Sequence, residues 1–313
     1  MIVLLGSTGY IGSVFLRQLE QNTGHRIVTP RYQDYGERGP VFDKYTSLVI
    51  NCAAFVTKPS VDLCEDQKEE CIMGNLLLPF RILRACERYN IPLMHISTGC
   101  LYNGNNGGKG WSETDAPQLR FNSGAGYYVG CKQLAEQIVS KYPRVWCCRM
   151  RIPFDHLHSP RNYISKLITY PKVFDAFNSL CHRDDFVNAC LSLFVMGAPY
   201  GIYNMTNPGG IWAHDIVSML KEKVCQKHEF KFWDELDFLT KIARTPKSNC
   251  VLDVSKLLAT GVKMRSTQEA VEHSIQNWDW NSCIENSRNA GPADRNTSSP
   301  SSTSESNPSP TTS

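Results

Sequence analysis

Seven residues near the start of the chain restrict its fold more than any other feature. Gly6-Ser7-Thr8-Gly9-Tyr10-Ile11-Gly12 follows the apolar run Ile2-Val3-Leu4-Leu5 and opens a stretch of helical periodicity over residues 10–22. Glycines at a strand-to-helix junction let the backbone turn sharply and approach a pyrophosphate, and the free N–H groups of the helix start favour the anion. Gly6, Gly9 and Gly12, with Thr8, Tyr10 and Ile11 between them, are therefore candidate cofactor contacts. The spacing is GxxGxxG, not GxGxxG. Such a turn is weak evidence alone and gains weight from its place at the first strand–helix junction.

The alternation continues through the first half. Arg26 to Thr29, Leu48 to Asn51, Leu93 to Ser97 and residues 145–150 read as strands; 70–89 and 127–141 carry helical patterns. Strands alternating with helices imply βαβ units, hence an α/β fold with a doubly wound parallel sheet of Rossmann type. After Arg151 the alternation weakens, with Pro153, Ser159, Pro160 and Asn162 interrupting it. Helices are expected near 161–170, 184–197, 213–224, 233–242 and 266–277. The organisation expected is an NADP-binding domain over 1–150 and a smaller substrate-binding part over 151–283, interleaved with the last sheet strands. Residues 284–313, rich in Ser, Thr, Pro and Asn, cannot bury enough apolar surface to offset their ordering entropy and are expected to be disordered.

Composition removes several function classes. At 313 residues, 42% apolar and 20% charged, the chain suits a globular protein with a sizeable core. A net charge of +3, with no basic stripe interleaved with aromatics, argues against nucleic acid as a partner. No stretch approaches the ~18 apolar residues of a membrane span. The N-terminus lacks the basic start and apolar length of a signal peptide, so the expected location is cytoplasmic. Thirteen cysteines without a CxxC pair then read as reduced, mostly buried thiols, and no metal site is expected. Cys147 and Cys148, adjacent on a strand, should face opposite sides of the sheet.

The end of the second strand bears on the cofactor. A carboxylate there holds the ribose of NAD, whereas a basic residue accommodates the extra phosphate of NADP. Arg26-Ile27-Val28-Thr29 ends without a carboxylate and is followed by Arg31, which favours NADPH, with NADH as the second choice.

Tyr128 and Lys132 form the chain's single YxxxK pair. Residues i and i+4 share a helix face, so phenol and ammonium can converge on one ligand. A nearby cation is expected to lower the phenol pKa, and the tyrosine can give its proton to a carbonyl oxygen. With 13 tyrosines, chance alone supplies about one such pair, so position carries the weight. The pair begins the helix after the fourth strand's loop, and that strand ends in Ser97-Thr98-Gly99-Cys100. Thr98 lies at a strand's carboxyl end, where open α/β sheets bind ligands.

Glycine turn, strand-end hydroxyl and YxxxK, in that order, resemble an extended short-chain dehydrogenase/reductase of the dTDP-4-dehydrorhamnose reductase group. The similarity extends to the bifunctional 3,5-epimerase/4-reductases that complete UDP-L-rhamnose. It runs from about residue 1 to 283 through GSTGYIG, VINCAA, VDLCE, STGC, GYYVGCK, RMRIP, SPRNYISKL, FNS, TNPG and PKSN. The resemblance implies roles residue by residue. Thr98, Tyr128 and Lys132 match the reductase triad. Asn51, Ala53 and Ala54 lie in the stretch that lines the cofactor. Cys100 matches the epimerase base and Lys166 its partner acid; Asn162, Asn178, Lys247, Ser248 and Asn249 fall in stretches that contact the nucleotide-sugar. Asn75 is a candidate support for the catalytic lysine through a water, or else a polar group on the helix surface.

A 4-keto group acidifies the neighbouring C3 and C5 protons, so epimerisation needs a base on one face and an acid on the other. Cys100, two residues beyond Thr98, can approach the same ring. Two departures from the family stand out. Only twenty positions separate Arg31 from Asn51, so the second crossover is short, and Ser179 to Asp184 are unusually polar. Three activities are therefore weighed: an NADPH-dependent 3,5-epimerase/4-reductase making UDP-L-rhamnose, a 4-reductase alone or on a dTDP carrier, and a non-catalytic NADP-binding regulatory subunit. The expected partner is a nucleotide-sugar; a homodimer is compatible with the sequence.

Overall fold

The structure, a computed structural model, describes residues 1–35, 40, 42–57 and 60–280. The Ser/Thr/Pro-rich tail expected to be disordered lies outside the described residues.

Six parallel strands form the central sheet in the order β2-β1-β3-β4-β5-β9. They are β1 (Ile2–Leu5), β2 (Ile27–Val28), β3 (Leu48–Asn51), β4 (Leu93–Thr98), β5 (Val145–Met150) and β9 (Gly201–Asn204). Two short pairs lie apart from it: β6 (Pro153–Phe154) runs parallel to β8 (Cys181–His182), and β7 (Phe177–Asn178) antiparallel to β10 (Ile211–Trp212). Every residue of β1, β3 and β4 is buried, as the continuous apolar runs of a sheet covered on both faces require.

On one face lie α1 (Gly12–Asn22) and α7 (Arg183–Val195), joined through Phe15, Leu19, Phe186 and Leu193. The other face is covered by α4 (Leu78–Arg88) and α5 (Tyr127–Val139). Cys148 joins the first core, while Cys147 faces Glu136 of α5, so the adjacent thiols do point to opposite sides. Among its described residues the short second crossover holds α2 (Tyr32–Tyr35), and β2 is an edge of the sheet.

The long helical pattern before β4 is one continuous helix in three parts. It runs through α3 (Lys68–Ile72), a π turn over Met73–Leu77, and α4. Within that turn Asn75 is fully buried. It donates to the Phe55 carbonyl (2.8 Å) and accepts from the Phe55 amide (3.2 Å). Asn75 is therefore not a surface group; it ties down the loop leaving β3.

Beyond Met150 come α6 (Tyr163–Thr169), α8 (Ala213–Lys223), α9 (Glu235–Asp237, extended by a π turn to Ile242), α10 (Ser255–Leu258) and α11 (Thr267–Gln276). A separate apolar cluster of Phe154, Ile164, Leu167, Ile216, Leu220 and Val271 holds α6, α8 and α11 together, while Leu257 of α10 joins the core under α1 and α7. This region also supplies β9, so the second part of the chain completes the sheet of the first.

Candidate active site

The glycine turn is shaped by two close approaches. Gly6 has φ +76°, and a Cβ there would come within 2.7 Å of the Ala53 amide nitrogen. A Cβ on Gly12 would lie 2.0 Å from the Gly6 carbonyl oxygen. Only glycine fits either position, so α1 begins directly over the ends of β1 and β3. Gly9 is less restricted, its Cβ position being 3.2 Å from the same oxygen. The first turn of α1 has no side-chain cap and no acidic residue. The Ser13 and Val14 amides donate to the Gly9 and Ile11 carbonyls, but the helix dipole at this end is unopposed by a carboxylate, and the bare cradle fits a dinucleotide pyrophosphate.

Asn51 does not line the cleft; it is buried beneath it. Its side chain accepts from the Ala53 amide (3.0 Å) and meets the His95 ring at 3.1 Å. Burial, and then Lys132, hold His95 well below its usual pKa, so a neutral ring supports the exit from β3.

A cleft of about 1920 Å³ runs from this turn across the sheet. Gly6, Thr8, Gly9, Tyr10, Ile11, Arg31, Ala53 and Ala54 line one end, and Tyr128, Lys132 and Lys166 the other. Arg31 is exposed, with its Nε 3.7 Å from Asp34.

Tyr128 and Lys132 sit on the first turns of α5, and Glu136 and Arg149 fix that helix. The Arg149 guanidinium meets the Glu136 carboxylate at 2.7 Å, and Ser97 donates to the same carboxylate at 2.7 Å. This ties α5 to β5 and β4. Lys132 is buried and donates to the Ile96 carbonyl (2.8 Å). Burial pulls its ammonium down to about 8, against the upward influence of Cys147, Glu136 and Cys52.

The expected lowering of the Tyr128 phenol does not occur. Burial pushes its pKa up, followed by the neighbouring Cys100, Cys64 and Cys71. Lys132 shares the helix face but turns its nitrogen to the β4 backbone. A neutral phenol is a proton donor, which suits an acid better than a standing tyrosinate.

Thr98 is buried at the end of β4 and its hydroxyl accepts from the Cys100 amide (3.2 Å). Lys166 is half-buried on α6, and burial, then Arg161, lower its pKa. Four further candidates occupy different settings. Asn162 is fully buried, caps α6 and donates to Asp155 and Leu157, so its side chain is occupied within the fold. Lys247 is paired with Asp62. Asn178 accepts from Arg151 and from the Cys250 amide, and lies 3.5 Å from Asn249.

Arg151 went unremarked in the sequence except as part of RMRIP. It is 1% exposed and reaches Cys100, Asn178 and Ser248. The available signal was an arginine directly after the last residue of β5, at the carboxyl end of a central strand where burial is expected.

Comparison with known proteins agrees with this geometry. The RmlD substrate binding domain family matches residues 1–279. The chain belongs to that family. It is 29% identical over 279 residues to the bifunctional dTDP-4-dehydrorhamnose 3,5-epimerase/dTDP-4-dehydrorhamnose reductase of Arabidopsis thaliana, covering 86% of this chain and 90% of the relative. The L780 UDP-rhamnose synthase of Acanthamoeba polyphaga mimivirus superposes with a TM-score of 0.78 at 21% identity, over 88% of this chain and 98% of its own. The dTDP-4-dehydrorhamnose reductase of Bacillus anthracis, solved with NADP, gives 0.66 at 16% identity, over 91% and 97%. The fold is thus that of these reductases. Among the described residues, no helix is long and apolar enough to cross a membrane.

Proposed function

We propose that this chain is an NADPH-dependent 3,5-epimerase/4-reductase that converts UDP-4-keto-6-deoxyglucose to UDP-L-rhamnose. One observation carries the reading: the glycine turn, the Tyr128–Lys132 pair and Lys166 all line a single cleft. Family membership makes the coarser part of it, a reductase of nucleotide sugars, the firm base.

NADPH supplies hydride to C4 when bound, with the glycine turn and α1 holding its pyrophosphate and Arg31 its 2′-phosphate. Tyr128 gives its phenolic proton to the C4 oxygen, and Thr98 at the end of β4 orients the same carbonyl. Lys132, cationic below about pH 8 and held by the Ile96 carbonyl, puts positive charge on the helix face it shares with Tyr128.

Epimerisation precedes reduction. Cys100 takes a proton from C3 or C5 on one face of the ring, leaving an enolate conjugated with the C4 oxygen. Lys166 returns a proton to that carbon from the other face. Its burial lowers the cost of giving one up. Asn178 and Asn249 are assigned to the substrate. Asn162 and Lys247 act through the walls that hold it, because their side chains are bound to Asp155 and Asp62.

The test is product identification by mass spectrometry and NMR, with UDP- and dTDP-4-keto-6-deoxyglucose and NADPH in deuterated water. The proposal expects rhamnose carrying solvent deuterium at C3 and C5, and loss of that label in Cys100→Ala. Label entering Cys100→Ala at the wild-type rate would refute the epimerase half and leave a 4-reductase. Product only from the dTDP sugar would move the carrier.

A further inference from the structure

Two arginines at the carboxyl end of β5, Arg149 within it and Arg151 just after it, are both 1% exposed, yet their surroundings differ. Arg149 is neutralised by Glu136 at 2.7 Å. Among the described residues no carboxylate lies within ion-pair distance of Arg151. Its Nη1 donates to Cys100 Sγ (3.3 Å) and to Ser248 Oγ (2.9 Å), and its Nη2 to Asn178 Oδ1 and the Ser248 carbonyl. Its Nε is buried without a partner. A buried cation without an anion is costly, so the site should acquire one.

Two thiols are near. Cys250 is fully buried, burial pushes its pKa up, and it donates to the Gly99 carbonyl (3.5 Å), so it stays protonated. Cys100 is half-exposed and is the one that the guanidinium touches.

The backbone holds this contact rigidly. The Gly99 amide donates to the Met150 carbonyl (2.8 Å), which sets the ends of β4 and β5 side by side. A Cβ on Gly99 would lie 3.3 Å from Arg151 Cβ and 2.6 Å from Leu252. Ile152, directly after Arg151, has φ +40°, a strained value for a β-branched residue. Strain of that kind persists where surrounding contacts over-determine it and clusters at working sites.

We propose that Arg151 is the cationic partner of Cys100: it positions the sulfur at the end of β4 and takes up the negative charge of the thiolate that abstracts the C3 and C5 protons. This rests on the epimerase reading. Each proton passes from carbon to the Cys100 sulfur, restoring the thiol. The Lys166 ammonium delivers a proton to the opposite face and becomes an amine. Solvent then recharges lysine and takes the proton from cysteine. Arg151 touches neither ring carbon nor hydride and acts through Cys100 alone.

The test reads the sulfur directly. In the wild-type protein at pH 7, iodoacetamide labelling of Cys100, followed by peptide mass spectrometry, should run at least about tenfold faster than that of Cys225, a half-exposed thiol without an arginine on it. Arg151→Gln should slow Cys100 labelling about tenfold and cut deuterium entry at C3 and C5 by at least the same factor. Its NADPH oxidation with an already epimerised 4-keto sugar should fall far less. Arg151→Lys should restore part of the labelling rate. Equal labelling of Cys100 and Cys225 in the wild type overturns the proposal whether or not the variants fold. So does a folded Arg151→Gln protein whose Cys100 labels at the wild-type rate. If Cys100→Ala still exchanges deuterium while these labelling results hold, the epimerase reading fails and the Arg151–Cys100 pair stands.

Discussion

The two sides of the cleft are built by different physics. On the cofactor side, backbone does the shaping: Gly6 and Gly12 let β1, β3 and α1 approach to contact distance, and Asn51 braces Ala53. Beyond Met150, buried charges do it. Arg183 pairs with Asp155 and reaches back to the Tyr10 carbonyl and Ser13, with its guanidinium 3.8 Å from the Tyr10 ring centre. Arg17 and Gln18 of α1 meet Asp184. The polar stretch from Ser179 to Asp184 is thus a clasp between substrate-side residues and the glycine turn. A backbone cradle tolerates changes in its exposed side chains, whereas a charge clasp fails when one partner is removed.

Arg183→Met tests the clasp most severely. Its pair with Asp155 is 8% and 3% exposed, and stranding the carboxylate should cost about 3–5 kcal/mol in urea unfolding. The double change with Asp155→Leu should recover part of that. Equal losses in the single and double variants would show the pair to be mere packing.

Tyr128→Phe removes the proton donor without touching either wall. Turnover should fall on the order of 10³-fold with NADPH affinity near wild type, measured by stopped-flow and by fluorescence titration. Full turnover would break the assignment.

Gly12→Ala probes the cradle. A methyl 2.0 Å from the Gly6 oxygen should cost about 1–3 kcal/mol of stability and weaken NADPH at least about tenfold, read calorimetrically. Unchanged affinity would mean that the backbone does not set the cofactor site.

The rate of reduction should decline on the alkaline side with a midpoint near 8. Lys132 is cationic below that value and neutral above it, so the limb should vanish in Lys132→Met along with most activity.

Arg244→Ala marks the small end. Its pair with Asp66 is 47% and 55% exposed, so the unfolding midpoint should not move measurably. A clear drop would show that the 244–249 strap is also held by charge.

Some of this was legible in the sequence and some was not. The strands, the alternation, the order of Gly6, Thr98, Tyr128 and Lys132, and the opposite faces of Cys147 and Cys148 follow from short-range periodicity. Local patterns of 2 and 3.6 residues survive without knowledge of the fold. Asn75 reads as a support for the lysine or a surface group and Asn162 as a substrate contact, yet both side chains are taken up largely by backbone partners, because a buried amide must find them. The direction of the Tyr128 shift was also hidden. The i,i+4 spacing fixes a shared face; burial and the Ile96 carbonyl decide where the lysine's charge goes.

The sequence by itself determined the parallel α/β sheet, the glycine cradle and the shared helix face of Tyr128 and Lys132, since each rests on residues within one or two elements. Only the tertiary structure decided what the buried charges do. Arg149 and Glu136 are 13 positions apart, Asp155 and Arg183 28, and Cys100 and Arg151 51. Separations of that size carry no periodicity. In a low-dielectric interior the energy of such pairs depends on where the fold sets the partners.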